Sequence, residues 1–479
     1  MPGVIGDLGD IGLRAADGLA QVASRLSGGT LRLGVTGLRR SGKTVFVTSL
    51  LHNLLSAGAA WGGRLPLLDV VSQGRFVAAK LKPQPDAAVP RFDYEGRLAE
   101  LTADPPAWPR ETKAISEIRI ALRFRPGGLL ARRLGGISTC TLDIVDYPGE
   151  WLLDLPMLGQ DYADWSRTML DLAVRPPRDG LSAEWRAALG AVDAGADSDE
   201  STARRLAALY TAYLRACRAA TVGLSLIQPG RFVEPGEMEG APILTFCPLP
   251  VTGRPAPGSL AALMAERFDG YKEAVVRRFY RDHISRLDRQ IVLVDALSAL
   301  NAGAAGLDDL ERSLAATLES FRHGTVSWLG ALGGARIDRV LFAATKADHV
   351  AGAEHDNLAA LLDSFLAAPM SALRFSGAEV RTMAIASVRS TDSVLTDYQG
   401  RQLACVQGIP VGRTEPTVLY PGAVPANHRD LGPADGWGSA GRFAFTPFAP
   451  PAGLGRDGRG LPNIRLDRAL QFLIGDFLA

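Results

Sequence analysis

One stretch constrains this chain more than any other: Gly37-Leu38-Arg39-Arg40-Ser41-Gly42-Lys43-Thr44. It fits G-x-x-x-x-G-K-[ST], a loop that cradles the phosphates of a nucleoside triphosphate. The apolar run at 31–36 leads into it and reads as a strand. The run at 45–55 follows with helical spacing and no Pro or Gly, and reads as a helix. Backbone N–H groups of such a loop and helix N-terminus point at phosphate oxygens. Lys43 is expected at the β- and γ-phosphates, and the Thr44 hydroxyl on Mg²⁺. Gly37, Arg40, Ser41, Gly42 and Val45 are the remaining expected nucleotide contacts. The plain alternative, a solvated lysine in a Gly-rich turn, does not account for the flanking strand and helix.

A second signature lies at the end of the apolar strand at 139–145, in Asp146-Tyr147-Pro148-Gly149. A carboxylate at a strand's carboxyl end can hold the Mg²⁺ shell, and a glycine three residues on lets its N–H approach the γ-phosphate. Alone the pattern is weak, because a Pro-Gly turn would produce it too. One strand pair after a phosphate loop, it gains weight. Thr112 lies three residues before the alternating run at 115–124, where a switch threonine would ligate Mg²⁺ once a γ-phosphate is present. A surface threonine before a strand is an equal alternative.

The run at 339–344 reads as a strand and leads into Thr345-Lys346-Ala347-Asp348, which fits [NT]-K-x-D. Guanine offers N1–H and N2–H₂ on one edge, and a carboxylate accepts both; adenine has no such pair. Asp348 is therefore expected to select guanine, with the Lys346 stem along the ring. Ala386-Ser387-Val388 ends the next strand and could turn a backbone N–H toward the guanine O6.

At 479 residues, 47% hydrophobic and a net charge of +1, the chain has material for two or three domains and no electrostatic case for nucleic acid. Cys140, Cys217, Cys247 and Cys405 are scattered without a C-x-x-C pair, which argues against zinc and disulfides and fits a reducing cytoplasm. No apolar run is long enough for a membrane span. The helical stretch at 13–26 carries only Arg14 and Arg25 as basic residues, a thin basis for the alternative of peripheral membrane association.

Strands alternating with helices imply an α/β fold with a mostly parallel, six-stranded sheet. Residues 1–30 read as a helical lead-in. Residues 31–150 and 289–399 form a split nucleotide-binding domain. The interval 57–109 reads as an irregular loop, and 115–124 as a strand with one wet face. Residues 151–288 read as an inserted, mainly helical subdomain, with Ser201 and Thr202 as helix N-caps. Residues 400–464 read as an extended wrap, followed by a closing helix at 466–478. Asp295 ends a strand, where it could support the switch region or cap a helix. His349 and His355 form no metal cluster.

The order Gly37–Thr44, Thr112, Asp146–Gly149, Thr345–Asp348 and 386–388 resembles the Ras-like P-loop GTPase fold. Thr36-Gly37-Leu38 with Arg40–Thr44, Asp146-Tyr147-Pro148-Gly149-Glu150-Trp151-Leu152-Leu153-Asp154 and Ile464-Arg465-Leu466-Asp467 are similar, more narrowly, to the YcjX family of bacterial stress-associated proteins. That resemblance implies a Ras-like domain with a helical subdomain, GTP and GDP binding, slow hydrolysis, a cytoplasmic location and a link to envelope stress. Two departures from ordinary GTPases concern catalysis. Glu150 stands where a water-orienting glutamine is common, which predicts weak turnover. Arg39 and Arg40 replace small residues; either could act as an arginine finger in cis, or point to solvent or the α-phosphate. The leading expectation is a slow GTPase switch that signals to a protein partner through 151–288. The competitors are an ATPase of the same loop class and a GDP-bound scaffold without hydrolysis.

Overall fold

A computed structural model describes residues 29–38, 40–58, 63–110, 114–127, 136–219, 223–326, 337–374, 378–431 and 443–479. The lead-in helix at 13–26, Arg39 and Thr112 lie outside these.

The main sheet has seven strands in the order β2-β3-β4-β1-β5-β6-β7. Their ranges are β1 Thr30–Gly37, β2 Phe76–Lys82, β3 Ser116–Phe124, β4 Ser138–Asp146, β5 Arg289–Val294, β6 Arg339–Ala344 and β7 Glu379–Ala384. β1 pairs in parallel with β4 and β5, and β5-β6-β7 continue in parallel. β3 runs antiparallel between β4 and β2. The sheet thus exceeds the six strands expected by one. The extra strand, β2, lies inside the interval read as an irregular loop, which also holds helix α2 (Tyr94–Thr102). β2 is an edge strand that, after buried Phe76, alternates half-buried and exposed residues, with Lys80 and Lys82 outward. That charge protects the edge from further pairing and masks the apolar pattern.

β3 keeps little of the expected wet face: Arg123 is exposed and Arg119 half-buried, and the rest is buried. Its polar residues Glu117 and Arg119 meet buried partners: Glu117 takes Arg32 of β1 at 2.8 Å, and Arg119 takes Asp143 of β4 at 2.5 Å. The period-two pattern is real, but cross-strand ion pairs cover Glu117 and Arg119 on its polar side.

Two helical layers cover the sheet. Along β5, Ile291 and Leu293 face one layer and Val292 and Val294 the other; along β6, Leu341 and Ala343 oppose Val340 and Phe342. The first layer holds α1 (Lys43–Ser56) and the closing helix α9 (Leu466–Ile474). The second holds α3 (Tyr162–Ala173), α4 (Ala183–Gly190), α5 (Glu200–Ala219), α6 (Leu260–Tyr271), α7 (Ala304–Val326) and α8 (His355–Arg374), in one continuous buried cluster that includes Trp165, Trp185 and Phe268. Asp199, rather than Ser201 or Thr202, caps α5, accepting from the Thr202 N–H at 2.8 Å.

The segment read as an extended wrap holds two strands of a second sheet, whose first strand precedes it at 391–398. β8 (Thr391–Tyr398), β9 (Arg401–Gly408) and β10 (Thr417–Leu419) form an antiparallel meander. Most of β8 is exposed, so apolar alternation could not reveal it. The chain beyond it returns to the main body, where Ile464 pairs with Ala386 and Phe448 with Pro410.

Candidate functional site

The parallel strands β1, β4, β5, β6 and β7 end on one edge of the sheet, where open α/β folds bind ligands. β1 ends at Gly37, and the Leu38 N–H donates to the Leu293 carbonyl at 3.1 Å. The loop then folds tightly, with the Ser41 N–H on the Leu38 carbonyl at 3.1 Å. Arg40 and Gly42 both adopt the left-handed conformation, at φ 57° and 79°. Gly42 does so without penalty, and Arg40 holds a strained geometry. Gly42 is the N-cap of α1; it offers no side-chain cap, and no acidic residue sits in the first turn. The amide groups at that helix start are left for an anion.

β4 delivers Asp146, buried, to the side of this loop. Its carboxylate meets the Lys43 ammonium at 2.5 Å. Gly149 follows against the loop itself: a Cβ there would lie 2.4 Å from the Gly37 carbonyl oxygen. Only glycine permits that approach. Thr44 is buried beside Lys43. A hydroxyl and a carboxylate are hard oxygen donors of the kind Mg²⁺ takes, together with phosphate oxygens. Among the described residues no group of three His, Cys, Asp or Glu side chains could hold a metal. A metal here would rely on Thr44, Asp146 and the nucleotide.

β6 delivers the other end. The Thr345 N–H donates to the Val294 carbonyl at 2.9 Å. Lys346 is left-handed at φ 61°, and its ammonium meets Asp295 at 2.5 Å. Asp295 also accepts from the Ser298 N–H at 3.1 Å, so it caps the helix Ala296–Asn301 while tethering Lys346. Asp348 is buried in the turn Ala347–His349, and one carboxylate oxygen accepts from both the N–H and the hydroxyl of Ser390, at 2.8 and 2.5 Å. The Ser387 carbonyl accepts from the Ser49 hydroxyl of α1, and Ala386 and Ile464 exchange two backbone hydrogen bonds, at 2.9 and 3.0 Å. Burial pushes the His349 imidazole pKa down, and its ring meets Phe448 edge-on.

One cavity of about 390 Å³ joins the two ends. Gly37, Arg40, Ser41, Gly42, Lys43, Thr44, Val45, Gly149 and Glu150 line it on one side, and Thr345, Lys346, Asp348, Ser387 and Val388 on the other. Lys43 and Asp348, far apart in sequence, thus share one hollow. Asp146 contacts Lys43 without lining it.

Other lining residues escaped the sequence reading. Trp108, Val411 and Phe448 form an apolar wall, with the Trp108 indole N–H on the Phe448 carbonyl at 2.8 Å. Arg218 and Glu234 reach the cavity from the second helical layer. Ser390 fixes Asp348 from a strand entrance. None sits in a motif, and only tertiary docking brings them here.

The segment after Gly149 is clamped to that layer. Asp154 is fully buried and accepts from the Gly230 N–H at 3.0 Å and the Tyr271 hydroxyl at 2.6 Å. Burial pushes its carboxyl up to about 7, against the lowering effect of those donors. The Gln228 amide donates to the Leu153 carbonyl at 2.6 Å, and the Arg231 guanidinium lies 3.4 Å over the Trp151 ring.

A parallel α/β sheet with a phosphate loop after β1, a D-x-x-G turn after β4 and a T-K-x-D turn after β6 defines a GTPase-like P-loop protein with the Ras-like fold. Comparison with known sequences narrows the class. The chain belongs to the YcjX-like family, DUF463, whose profile matches residues 31–478. It is 44% identical over 456 residues to the Ras-like GTPase YcjX of Escherichia coli (strain K12), covering 94% of this chain and 96% of that protein. It is 39% identical over 464 residues to the Ras-like GTPase YcjX of Shewanella oneidensis, covering 94% of each.

Proposed function

We propose that the protein binds GTP and GDP with Mg²⁺, hydrolyses GTP slowly and acts as a nucleotide-dependent conformational switch. The observation that carries this reading is the single cavity shared by the Lys43–Thr44 loop and the Thr345–Asp348 turn. The loop amides and Lys43 hold the β- and γ-phosphates, Arg40 adds positive charge at the mouth, and Asp348, oriented by Ser390, accepts from the guanine edge. The Ser387–Val388 loop closes the base end. Thr44, Asp146 and, in the triphosphate state, Thr112 are the residues we assign to Mg²⁺. When bound, the metal supplies charge that stabilises the β- and γ-oxygens.

The switch is the turn from Asp146 through Asp154, because Gly149 touches the phosphate loop while Asp154 touches the helical layer. We read the helices within 151–288 as a subdomain inserted into the nucleotide-binding unit, and as the surface through which nucleotide state reaches a protein partner. A cytoplasmic location and a role in stress rest on the family resemblance. No helix of the described residues is long and apolar enough to cross a membrane.

The test is a thermal-shift series with GTP, GDP, ATP and ADP, each with Mg²⁺ or EDTA, followed by single-turnover hydrolysis. We expect stabilisation by guanine nucleotides, deepened by Mg²⁺, and slow phosphate release. A preference for adenine nucleotides would make the protein an ATPase of the same class. A second reading, a GDP-stabilised scaffold, draws on Glu150, a carboxylate at the position that orients the attacking water. Tight GDP binding with no turnover would select it.

A further inference from the structure

At the phosphate end of the cavity, a cation arrives from outside the sheet. Arg218 lies in the last turn of α5, four-fifths buried. One of its guanidinium nitrogens meets Glu234 at 2.6 Å, and the other stands 3.8 Å from the Glu150 carboxylate. All three side chains line the cavity that holds Lys43 and Thr44. Their end of the cavity is fixed by Gly149: its backbone rests on the Gly37 carbonyl, and Glu150 is the next residue. The layer that carries Arg218 is fixed in turn. Gly230 donates to Asp154, Gln228 donates to the Leu153 carbonyl, and Arg231 covers Trp151. Arg218 therefore keeps its station relative to the turn that follows the γ-phosphate site.

We propose that Arg218 is a catalytic residue, an arginine supplied in cis that leaves its carboxylate partners to contact the γ-phosphoryl group during hydrolysis. This rests on the GTPase reading above. In the step itself a water oxygen bonds to the γ-phosphorus, and the bond from that phosphorus to the β–γ bridging oxygen breaks. Its electron pair stays on the β-phosphate of GDP, and the water proton passes to the released phosphate. Negative charge grows on the bridging and γ-oxygens, and a guanidinium placed there stabilises it. A phosphate carries more charge than either glutamate, so it competes for Arg218, while Glu150 is repelled and turns away. The paired arrangement is the resting state, with Arg218 parked and turnover low.

The experiment uses the full chain and three readouts: single-turnover GTP hydrolysis, GDP affinity, and affinity for GDP with aluminium fluoride. For Arg218→Ala we expect hydrolysis to fall by about a hundredfold or more, GDP affinity to stay within about threefold, and the gain in affinity from aluminium fluoride to vanish. Glu234→Gln removes the parking partner, should raise the rate, and carries the test if Arg218→Ala fails to fold. Arg218→Ala turnover within about twofold of the wild type overturns the proposal. So does Arg40→Ala causing the loss of rate in its place, or Glu234→Gln slowing hydrolysis, the mark of a structural brace. A wild type that binds GTP without turnover would defeat the GTPase reading instead. The fluoride comparison still decides Arg218 in that case: equal affinity in wild type and Arg218→Ala overturns it.

Discussion

The Lys43 ammonium stands 2.5 Å from the Asp146 carboxylate, tying the first turn of α1 to the end of β4, the strand that pairs with β1. The same lysine that would hold phosphate also neutralises a carboxylate that is almost fully buried. Lys43→Ala should therefore cost both affinity and stability, the latter by about 3 kcal/mol, because a buried carboxylate loses its cation. Lys43→Ala with Asp146→Asn should regain the stability and leave affinity low. Urea unfolding and nucleotide titration of both variants check this; a double variant as unstable as the single one refutes it.

Ser390 gives both its N–H and its hydroxyl to Asp348, which holds the carboxylate in one orientation. Asp348→Ala should abolish the difference between guanine and adenine nucleotides in thermal shift. Ser390→Ala keeps the carboxylate but loosens it, and should weaken GDP by about tenfold, the worth of one hydrogen bond to a charged group. Selectivity retained in Asp348→Ala would remove that residue from base recognition.

Glu150 lines the cavity beside Gly149, next to the γ-phosphate position we propose, and stands 3.8 Å from Arg218. Glu150→Gln removes the repulsion and restores an amide that can orient water. Single-turnover hydrolysis should rise by about tenfold, the effect of a barrier lowered by about 1.4 kcal/mol. An unchanged rate would show that another element limits turnover.

Burial raises the Asp154 carboxyl to about 7, far above its unfolded value. A carboxyl with a raised folded-state pKa contributes stability that is complete in acid and lost as pH climbs through the folded value. Above pH 7 the protein must bury an ionised Asp154, a penalty approaching 4 kcal/mol on the order-of-magnitude scale of three pKa units. Asp154→Asn stays neutral. The stability difference between wild type and Asp154→Asn, measured by urea unfolding, should move in favour of the variant between about pH 4 and pH 7 and level off above that. A constant difference would refute the buried-acid account.

Much of this was legible in the sequence because it is local. The Lys43–Thr44 loop, the strand that enters it and the turn at Thr345–Asp348 each declare themselves within a few residues, and β5 and β6 read as buried strands from their apolar runs. β2 was missed because Lys80 and Lys82 guard an edge, and β8 because nearly all of it is wet. Glu117 and Arg119 misled in the opposite direction: polar residues at period two suggested solvent, but they found each other's neighbours inside the sheet. Arg218, Trp108 and Phe448 have no signature, since their place at the cavity depends on how helices and returning chain dock.

Ile464 splints the loop at Ala386, and Phe448 walls the cavity with Trp108. Those two contacts set a timetable for synthesis. A ribosome releases the phosphate loop early, but the wall of the hollow stays incomplete until residues 448 to 464 have emerged. The hollow therefore closes late in synthesis, and the proposed loading with nucleotide follows the emergence of that returning segment.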